Sequence, residues 1–185
     1  MTDDVPYAGP ARPDSGAPLR RPGRPIAPGA RIGHVHLRVA DLERMLDFYV
    51  GVLGFETTQR FGDAAAFVSA GGYHHHLAFN TWESAGASPP PKGTTGLYHL
   101  AILYPTRAAL GEALLRLDAA GVRLTGAADH GVSEALYLDD PEGNGVELYA
   151  DRPEADWPRD AEGRLAMVNA RPDRAGLRAA GAAAG

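Results

Sequence analysis

The stretch Leu97–Leu103, L-Y-H-L-A-I-L, predicts a buried strand that carries one histidine, His99. Seven residues after His99 comes Thr106, a favoured helix N-cap residue, and an amphipathic helix follows it. The same order occurs earlier, where His34 lies in I-G-H-V-H-L-R-V and Asp41 stands seven residues after it. The chain therefore contains two copies of one pattern, a strand with a histidine followed by a cap and a helix.

Each copy continues with three short strands separated by turn residues. The predicted strands are 55–59, 64–70 and 73–80 in the first copy, and 122–125, 133–138 and 146–150 in the second. Two β-α-β-β-β units of this kind, over about residues 31–80 and 97–150, predict an α+β fold. We expect one eight-stranded mixed sheet that curls into a cup with the helices outside. The Pro-rich segment 84–96 is then the linker between the units.

The two ends of the chain carry no such pattern. Residues 1–30 are rich in Pro, Gly, Ala and Arg, which predicts a disordered or extended arm. Residues 153–185 are a C-terminal extension, and we expect its Ala- and Gly-rich tail after Arg171 to be disordered. The domain is therefore predicted to cover residues 31–152.

Composition excludes several classes of protein. The 185 residues carry a net charge of −5 with mixed signs, which argues against nucleic acid as a partner. The absence of cysteine excludes disulfides, Cys-type zinc sites and thiol nucleophiles. No apolar run approaches transmembrane length, and no hydrophobic segment follows the twin arginine at Arg20-Arg21. We expect no membrane partner and a cytoplasmic location.

Two histidines and one glutamate form a candidate metal site. Alternation along the first strand places His34 on one face with His36 and Arg38, which is typical of a polar cavity rather than a dry core. His99 has the equivalent place in the second copy, and Glu147 lies in an otherwise apolar last strand. Each residue alone is more often an ordinary cavity histidine or an exposed acid. Together, His34, His99 and Glu147 match the 2-His-1-carboxylate set of non-haem Fe(II) centres.

Three histidines, His74 to His76, stand in a row within the predicted strand 73–80. Consecutive strand residues point to opposite faces, so at least one of the three should face the cavity. A surface metal-binding tract is the alternative. The apolar run Leu77-Ala78-Phe79 that follows favours the cavity.

Two motifs resemble the vicinal oxygen chelate superfamily, which includes glyoxalase I, the fosfomycin and bleomycin resistance proteins and the extradiol dioxygenases. They are G-H-V-H-L-R-V-A-D-L-E-R-M-L-D-F-Y-V-G-V-L-G-F at Gly33–Phe55 and D-P-E-G-N-G-V-E-L-Y at Asp140–Tyr149. The resemblance covers about residues 31–152. Three further segments look most like the metal-bearing part of catechol 2,3-dioxygenases: Gly72–Phe79, Leu97–Leu103 and Asp129–Leu138.

The resemblance implies roles for individual residues of the cavity. His34, His99 and Glu147 match the three iron ligands of the family. The family's acid–base histidine precedes a Leu-Ala-Phe run, which indicates His75, with His76 as the competing register.

Further residues are implied around the substrate. Tyr137, ten residues before the glutamate, matches the active-site tyrosine, and His130 matches a histidine upstream of it. His36 is the candidate substrate-binding residue. The implied reaction binds a catechol and O2 at Fe(II), exchanges a proton with a histidine and opens the ring beside the diol.

Two other functions stay open within the same superfamily. One is a glyoxalase-like lyase or isomerase, or a thiol transferase, with Zn, Ni or Mn. Its fourth ligand slot falls in His74–His76, which lacks the usual glutamate. The other is a metal-free binding protein of the resistance type, which the three retained ligand candidates disfavour. Extradiol enzymes usually carry two such domains, so a chain with one domain is expected to act as a homodimer or to have lost the oxygenase chemistry.

Overall fold

A computed structural model describes residues 25–185, so most of the predicted arm at residues 1–30 lies outside the described part. The strands are β1 (Val35–Arg38), β2 (Glu56–Phe61), β3 (Ala65–Ser69), β4 (Leu77–Asn80), β5 (His99–Leu103), β6 (Gly126–Asp129), β7 (Ser133–Asp139) and β8 (Gly145–Asp151). The helices are α1 (Leu42–Leu46), continued by a π-helical segment (Asp47–Val52), α2 (Arg107–Ala119) and α3 (Arg174–Ala182). Among residues 25–185, no helix is both long and apolar enough to cross a membrane.

The two units have the same strand order. The first sheet runs β1-β4-β3-β2 and the second β5-β8-β7-β6, and in each the first pair is parallel and the other pairs are antiparallel. The predicted α+β fold of two β-α-β-β-β units is therefore confirmed. The hydrogen bonds divide the eight strands into two sheets of four, with β1 and β5 each at a sheet edge. The sheet is not closed into a barrel.

Both predicted helix caps form as the residue types require. The Asp41 side chain accepts a hydrogen bond of 3.1 Å from the Arg44 N–H, and the Thr106 hydroxyl accepts one of 3.1 Å from the Ala109 N–H. Gly121 follows α2 with a φ of 68°, a left-handed conformation that favours glycine. The matching caps place His34 and His99 at equivalent points of the two units.

One hydrophobic core joins the units. Its largest fully buried side chains come from both: Met45, Tyr49, Phe79, Leu110, Leu114, Leu136 and Leu148. The turn before β8 adds polar contacts, because the Glu142 carboxylate accepts hydrogen bonds of 2.8–2.9 Å from the backbone N–H groups of Ala40 and Asp41. The Tyr49 hydroxyl donates to Asp140 at 3.2 Å. The D-P-E-G-N turn of the second unit is thus fixed against the start of α1.

Most strand boundaries differ by one or more residues from the sequence prediction, and His34 precedes β1 instead of lying within it. Residues 74–76 precede β4, which begins at Leu77. The His76 N–H already bonds to the Val68 carbonyl, just before the regular ladder starts. The strand predicted at 122–125 lies instead at Gly126–Asp129. Val122 still belongs to the helix end, where its N–H bonds to the Leu117 carbonyl.

The C-terminal tail differs most from expectation. Residues predicted to be disordered after Arg171 form α3, which packs along α2. The two helices approach at Gly111 and Gly181, where a Cβ atom on either glycine would overlap the backbone of the other helix. Arg178 of α3 also pairs with Asp118 of α2 at 2.7 Å. The glycines that weaken an isolated helix are what permit this close contact.

Candidate active site

Four side chains form a hydrogen-bonded row in the second unit. Glu147 of β8 and Tyr137 of β7 are cross-strand partners, so their side chains share one face of the sheet. His99 Nε2 lies 2.9 Å from Glu147 Oε2, and the Tyr137 hydroxyl donates to Glu147 Oε1 at 3.1 Å. His130 Nε2 lies 2.7 Å from the same hydroxyl. The structure therefore gathers four of the predicted site residues in the order His99, Glu147, Tyr137, His130.

Burial affects the pKa of Tyr137 in this row. The side chain of Glu147 is 13% exposed and that of His99 31%. Burial, followed by the charge of Glu147, raises the pKa of Tyr137 well above its ordinary value. The phenol therefore keeps its proton near neutral pH and acts as a hydrogen-bond donor.

An open cleft of about 320 Å³ lies beside this row. Its lining includes Tyr98, His99, Gly126, Tyr137, Asp139 and Gly143. Gly126 is opposite Tyr137 across the ladder, and a Cβ atom there would meet the tyrosine ring at 3.6 Å. This is an ordinary van der Waals distance, so the aromatic ring lies directly over β6 at the cleft.

The spacing of His99 and Glu147 fits two ligands of one metal ion. Donor atoms about 2.1 Å from a metal and at right angles to each other are about 3.0 Å apart. The observed 2.9 Å between His99 Nε2 and Glu147 Oε2 is an ordinary hydrogen-bond distance and is also close to that value, so the pair can exchange its hydrogen bond for a shared metal without moving far. An imidazole and a carboxylate also suit a first-row divalent ion. The second unit thus presents two donors, and a third must come from elsewhere.

The first unit gathers histidines without a carboxylate. The rings of His34 and His75 have centroids 4.4 Å apart, and the His75 ring lies 5.1 Å from that of Phe67. Burial, then the neighbouring His34, lowers the pKa of His75, so its imidazole is neutral near pH 7. His76 is turned elsewhere, with Nδ1 3.0 Å from the Ser69 hydroxyl. His75 is therefore the histidine of the run that lies against His34.

His36 also lies on this face of β1. Its Nε2 is 2.8 Å from the side-chain amide of Asn80, and its ring is 5.9 Å from that of Trp82. Sequence reasoning missed Asn80, Trp82 and Phe67 as members of this face. For Asn80 and Phe67 the signal was present, because both fall within predicted strands, where alternation assigns each residue to a face.

The predicted ligands divide between the two units. Within residues 25–185, no three His, Asp or Glu side chains lie close enough to hold one metal ion. His99 is beside Glu147, whereas His34 is beside His75. A complete 2-His-1-carboxylate site therefore requires His34 of a first unit to come next to His99 and Glu147 of a second unit.

The strand ladders identify the position in the first unit that corresponds to Glu147. Ala101 pairs with Glu147 in the second unit, and His36 pairs with Ala78 at the same step of the first. Ala78, rather than a member of His74–His76, thus occupies the slot of a fourth protein ligand. Its methyl side chain offers no donor atom to a metal.

Comparisons with known proteins agree with this architecture. The model of the Glyoxalase/Bleomycin resistance protein/Dioxygenase superfamily matches residues 31–148. The chain is 46% identical over 146 residues to a catechol-2,3-dioxygenase of Bacillus subtilis (strain 168), covering 79% of this chain and 50% of that protein. It is 32% identical over 121 residues to biphenyl-2,3-diol 1,2-dioxygenase 3 of Rhodococcus globerulus, covering 65% of this chain and 63% of that one. The chain thus spans about half to two thirds of the length of these relatives.

Solved structures share the fold at lower identity. A glyoxalase/dioxygenase from Nostoc punctiforme superposes with a TM-score of 0.57 at 19% identity, covering 72% of this chain and all of that one. A glyoxalase/bleomycin resistance/dioxygenase domain from Frankia sp. EAN1pec gives a TM-score of 0.55 at 23% identity, covering 66% and 98%. These matches support the paired-unit fold alone. Together with the family match, they confirm the resemblance in the sequence: the chain belongs to the glyoxalase/bleomycin resistance protein/dioxygenase superfamily.

Proposed function

We propose that the protein is a non-haem Fe(II)-dependent extradiol-type dioxygenase that opens a catechol-like ring next to its diol. The observation that carries the proposal is the row His99, Glu147, Tyr137 and His130, which joins two spaced ligands to two hydrogen-bonding side chains. The names of the two relatives describe dioxygenases of aromatic diols, catechol and biphenyl-2,3-diol. Substrates of this class and O2 are therefore proposed for this chain.

The metal would be held by His34, His99 and Glu147. When bound, Fe(II) supplies a Lewis-acidic centre with open positions for both oxygens of the diol and for O2. A single carboxylate among the ligands keeps the site net positive, which favours an anionic diol.

The remaining residues would handle protons and orientation. Tyr137 keeps its hydroxyl proton and fixes the Glu147 carboxylate by donating to it. His75 is the proposed acid–base residue, because it lies against His34 with an imidazole nitrogen able to take a proton from the diol and return it. His36, held by Asn80, would contact the substrate.

A glyoxalase-like lyase, isomerase or thiol transferase with Zn, Ni or Mn fits the chain less well. That branch normally uses a fourth protein ligand, and Ala78 occupies its slot here. A metal-free binding protein of the resistance type would have no need for His34, His99 and Glu147 together at the family's ligand positions. The ladder and the three retained ligand candidates therefore favour the dioxygenase.

We propose further that the working form is a homodimer in which His34 of one chain completes the site of the other. Within residues 25–185, His34 does not form a three-residue cluster with His99 and Glu147 that could hold a metal ion. The edge strands β1 and β5 have no partner on their outer sides among the described strands, so a second copy can bring β1 beside β5. A cytoplasmic location stays a prediction of the sequence.

The metal and the activity are tested together on protein purified anaerobically without chelators. Elemental analysis should find about one iron per site, and addition of catechol in air should give a yellow ring-opened product. Zinc, nickel or manganese at that level without oxygen consumption would favour the lyase or transferase. No metal, with none taken up on reconstitution, would leave a binding protein.

The dimer is tested by mixing two inactive variants, His34→Ala and Glu147→Gln. If ligands are shared between chains, each mixed dimer has one site with both mutations and one intact site. Random assortment should then restore about one quarter of the wild-type iron content and turnover. If each site lies within one chain, every site stays broken, and the mixture is as inactive as its components.

A further inference from the structure

The C-terminal extension does more than pack α3 against α2. Residues 157–170, which we call the strap, run along the outer edge of β6. The N–H groups of Asp129 and Ala170 each donate 2.9 Å hydrogen bonds to the other's carbonyl, and the Val168 N–H donates to the His130 carbonyl at 3.0 Å. The strap thus pairs with the sheet where His130 leaves it.

Further contacts hold the strap at its start and at Val168. At its start, the Trp157 indole N–H donates to the Arg152 carbonyl at 2.9 Å, and Arg152 forms a 2.7 Å ion pair with Asp129. Near its end, Val168 lies against Gly131, where a Cβ atom would come within 3.2 Å of the valine side chain. Gly131 also has a φ of 74°. The close approach therefore depends on a glycine next to His130.

The strap also makes a side-chain contact with the row of the candidate active site. His130 Nδ1 lies 3.1 Å from the Val168 carbonyl oxygen, while Nε2 lies 2.7 Å from the Tyr137 hydroxyl. A carbonyl oxygen can only accept, so the Nδ1 atom must carry a proton for this bond to form. The hydrogen bond of Nδ1 then orients the His130 ring, and Nε2 faces Tyr137.

We propose that Val168 is a positioning residue of the active site, whose main-chain carbonyl fixes His130 in the Nδ1–H form and directs Nε2 at Tyr137. A free imidazole has two tautomers, and the other one would direct a donor at Tyr137 instead of an acceptor. The single hydroxyl proton of Tyr137 serves two neighbours, His130 Nε2 and Glu147 Oε1. In the Nδ1–H form of His130 both neighbours are acceptors, so the hydroxyl proton of Tyr137 is shared between them.

The tautomer itself does not depend on the proposed function, whereas its effect on turnover rests on it. Nitrogen NMR of metal-free protein labelled at the histidine ring nitrogens reports the tautomer directly. At a pH where His130 is neutral, we expect protonated Nδ1 and bare Nε2. Protonated Nε2 with bare Nδ1 in the wild-type protein would overturn the proposal.

A pair of proline variants tests whether the strap causes this state. Ala170→Pro removes the N–H that bonds to the Asp129 carbonyl, and should loosen Val168 from His130. Ala161→Pro is the control, because it lies second in the turn that Gly163 N–H closes onto the Asp160 carbonyl, where proline is favoured. We expect Ala170→Pro to give mixed tautomers and to lower kcat about tenfold or more at unchanged iron content.

The control should match the wild-type protein in both readouts. An Ala170→Pro variant that is folded, keeps a single Nδ1–H tautomer and retains full kcat would contradict the proposal. If that variant does not fold, the wild-type tautomer still decides. Should the protein prove to lack oxygenase activity while the Nδ1–H tautomer is found, the proposed function fails and the positioning contact stands.

Discussion

The two units have the same strand order, but different side chains face the candidate site. Each begins with a histidine, a cap and a helix, and each has the same strand order. At the matching step of the ladders, the second unit pairs Ala101 with Glu147, while the first pairs His36 with Ala78. The second unit thus holds the carboxylate and the first a cluster of imidazoles. The two units therefore share a fold and differ in the cross-strand pairs that face the cavity.

This contrast assigns separate tasks to the units. The carboxylate of Glu147 lies between an imidazole and a phenol that donates to it, an arrangement suited to fixing a cation. His75 lies beside other imidazoles and an aromatic ring, an arrangement that favours a neutral base. The comparison predicts that damage to the second unit removes the metal, whereas damage to His75 removes turnover.

The largest effect is expected from Glu147→Gln. The amide keeps the shape of the side chain but loses the negative charge, and iron binding should weaken more than about 100-fold, since changes around ligands already cost roughly 10–100-fold. Iron titration followed by elemental analysis measures it. Glu154→Gln, in the exposed 3-10 turn, is the matched control and should bind iron like the wild-type protein. Full iron occupancy in Glu147→Gln would remove the ligand role of this residue.

The next effect separates binding from chemistry. His75→Ala should keep its iron and lose at least about 100-fold in turnover, because a positioned proton-transfer group contributes roughly that much. His76→Ala is the control, since its ring is bound to Ser69 on the other side of the run. Iron content and oxygen consumption are measured on both variants. If only His76→Ala is inactive, the register of the histidine run is shifted by one residue.

A third variant tests how the units are joined. Glu142→Ala removes a carboxylate that accepts from the N–H groups of Ala40 and Asp41 at the start of α1. With one part-buried and one exposed N–H group losing this partner, the free energy of unfolding should fall by about 1 kcal/mol. Urea unfolding monitored by circular dichroism and by tryptophan fluorescence gives the value. Transitions that separate between the two probes would show that the units unfold independently, contrary to their shared core.

The fold was accessible from the sequence because its signals are local and repeated. The caps Asp41 and Thr106 and the alternating strands each act within a few residues, so pattern reasoning found them. The bonds of Val168 to His130 and the approach of Gly111 to Gly181 join residues far apart in the chain. Such contacts depend on how elements pack, and an Ala- and Gly-rich tail gives no pattern from which to predict them.

The sequence indicated which residues belong to the candidate site, but not how all of them come together. His99, Glu147, Tyr137 and His130 lie within hydrogen-bond distance of one another in a row, because three of them are on strands of one sheet and His130 directly follows its edge strand. His34 directly precedes β1 of the other sheet, and its distance from them depends on how the two sheet edges meet. No strand period or motif encodes that relation, so only the packing of the units, within a chain or between chains, determines it.

The smallest effect concerns α3, which packs against helix α2 of the second unit and has no counterpart at the first unit. Asp118 of α2 pairs with Arg178 of α3, and the hydrogen bond from Arg178, assisted by its charge, lowers the pKa of Asp118 below its ordinary 3.8. A lowered pKa in the folded state means that the pair stabilises above the unfolded pKa and loses this effect as the pH falls through the folded pKa. Both side chains are more than a third exposed, so Asp118→Asn should cost less than about 1 kcal/mol at pH 7. Urea unfolding of both proteins at pH 7 and in acid below the folded pKa measures the difference, which should vanish in acid. A difference that persists in acid would show that the charge of Asp118 is not what ties α3 to the second unit.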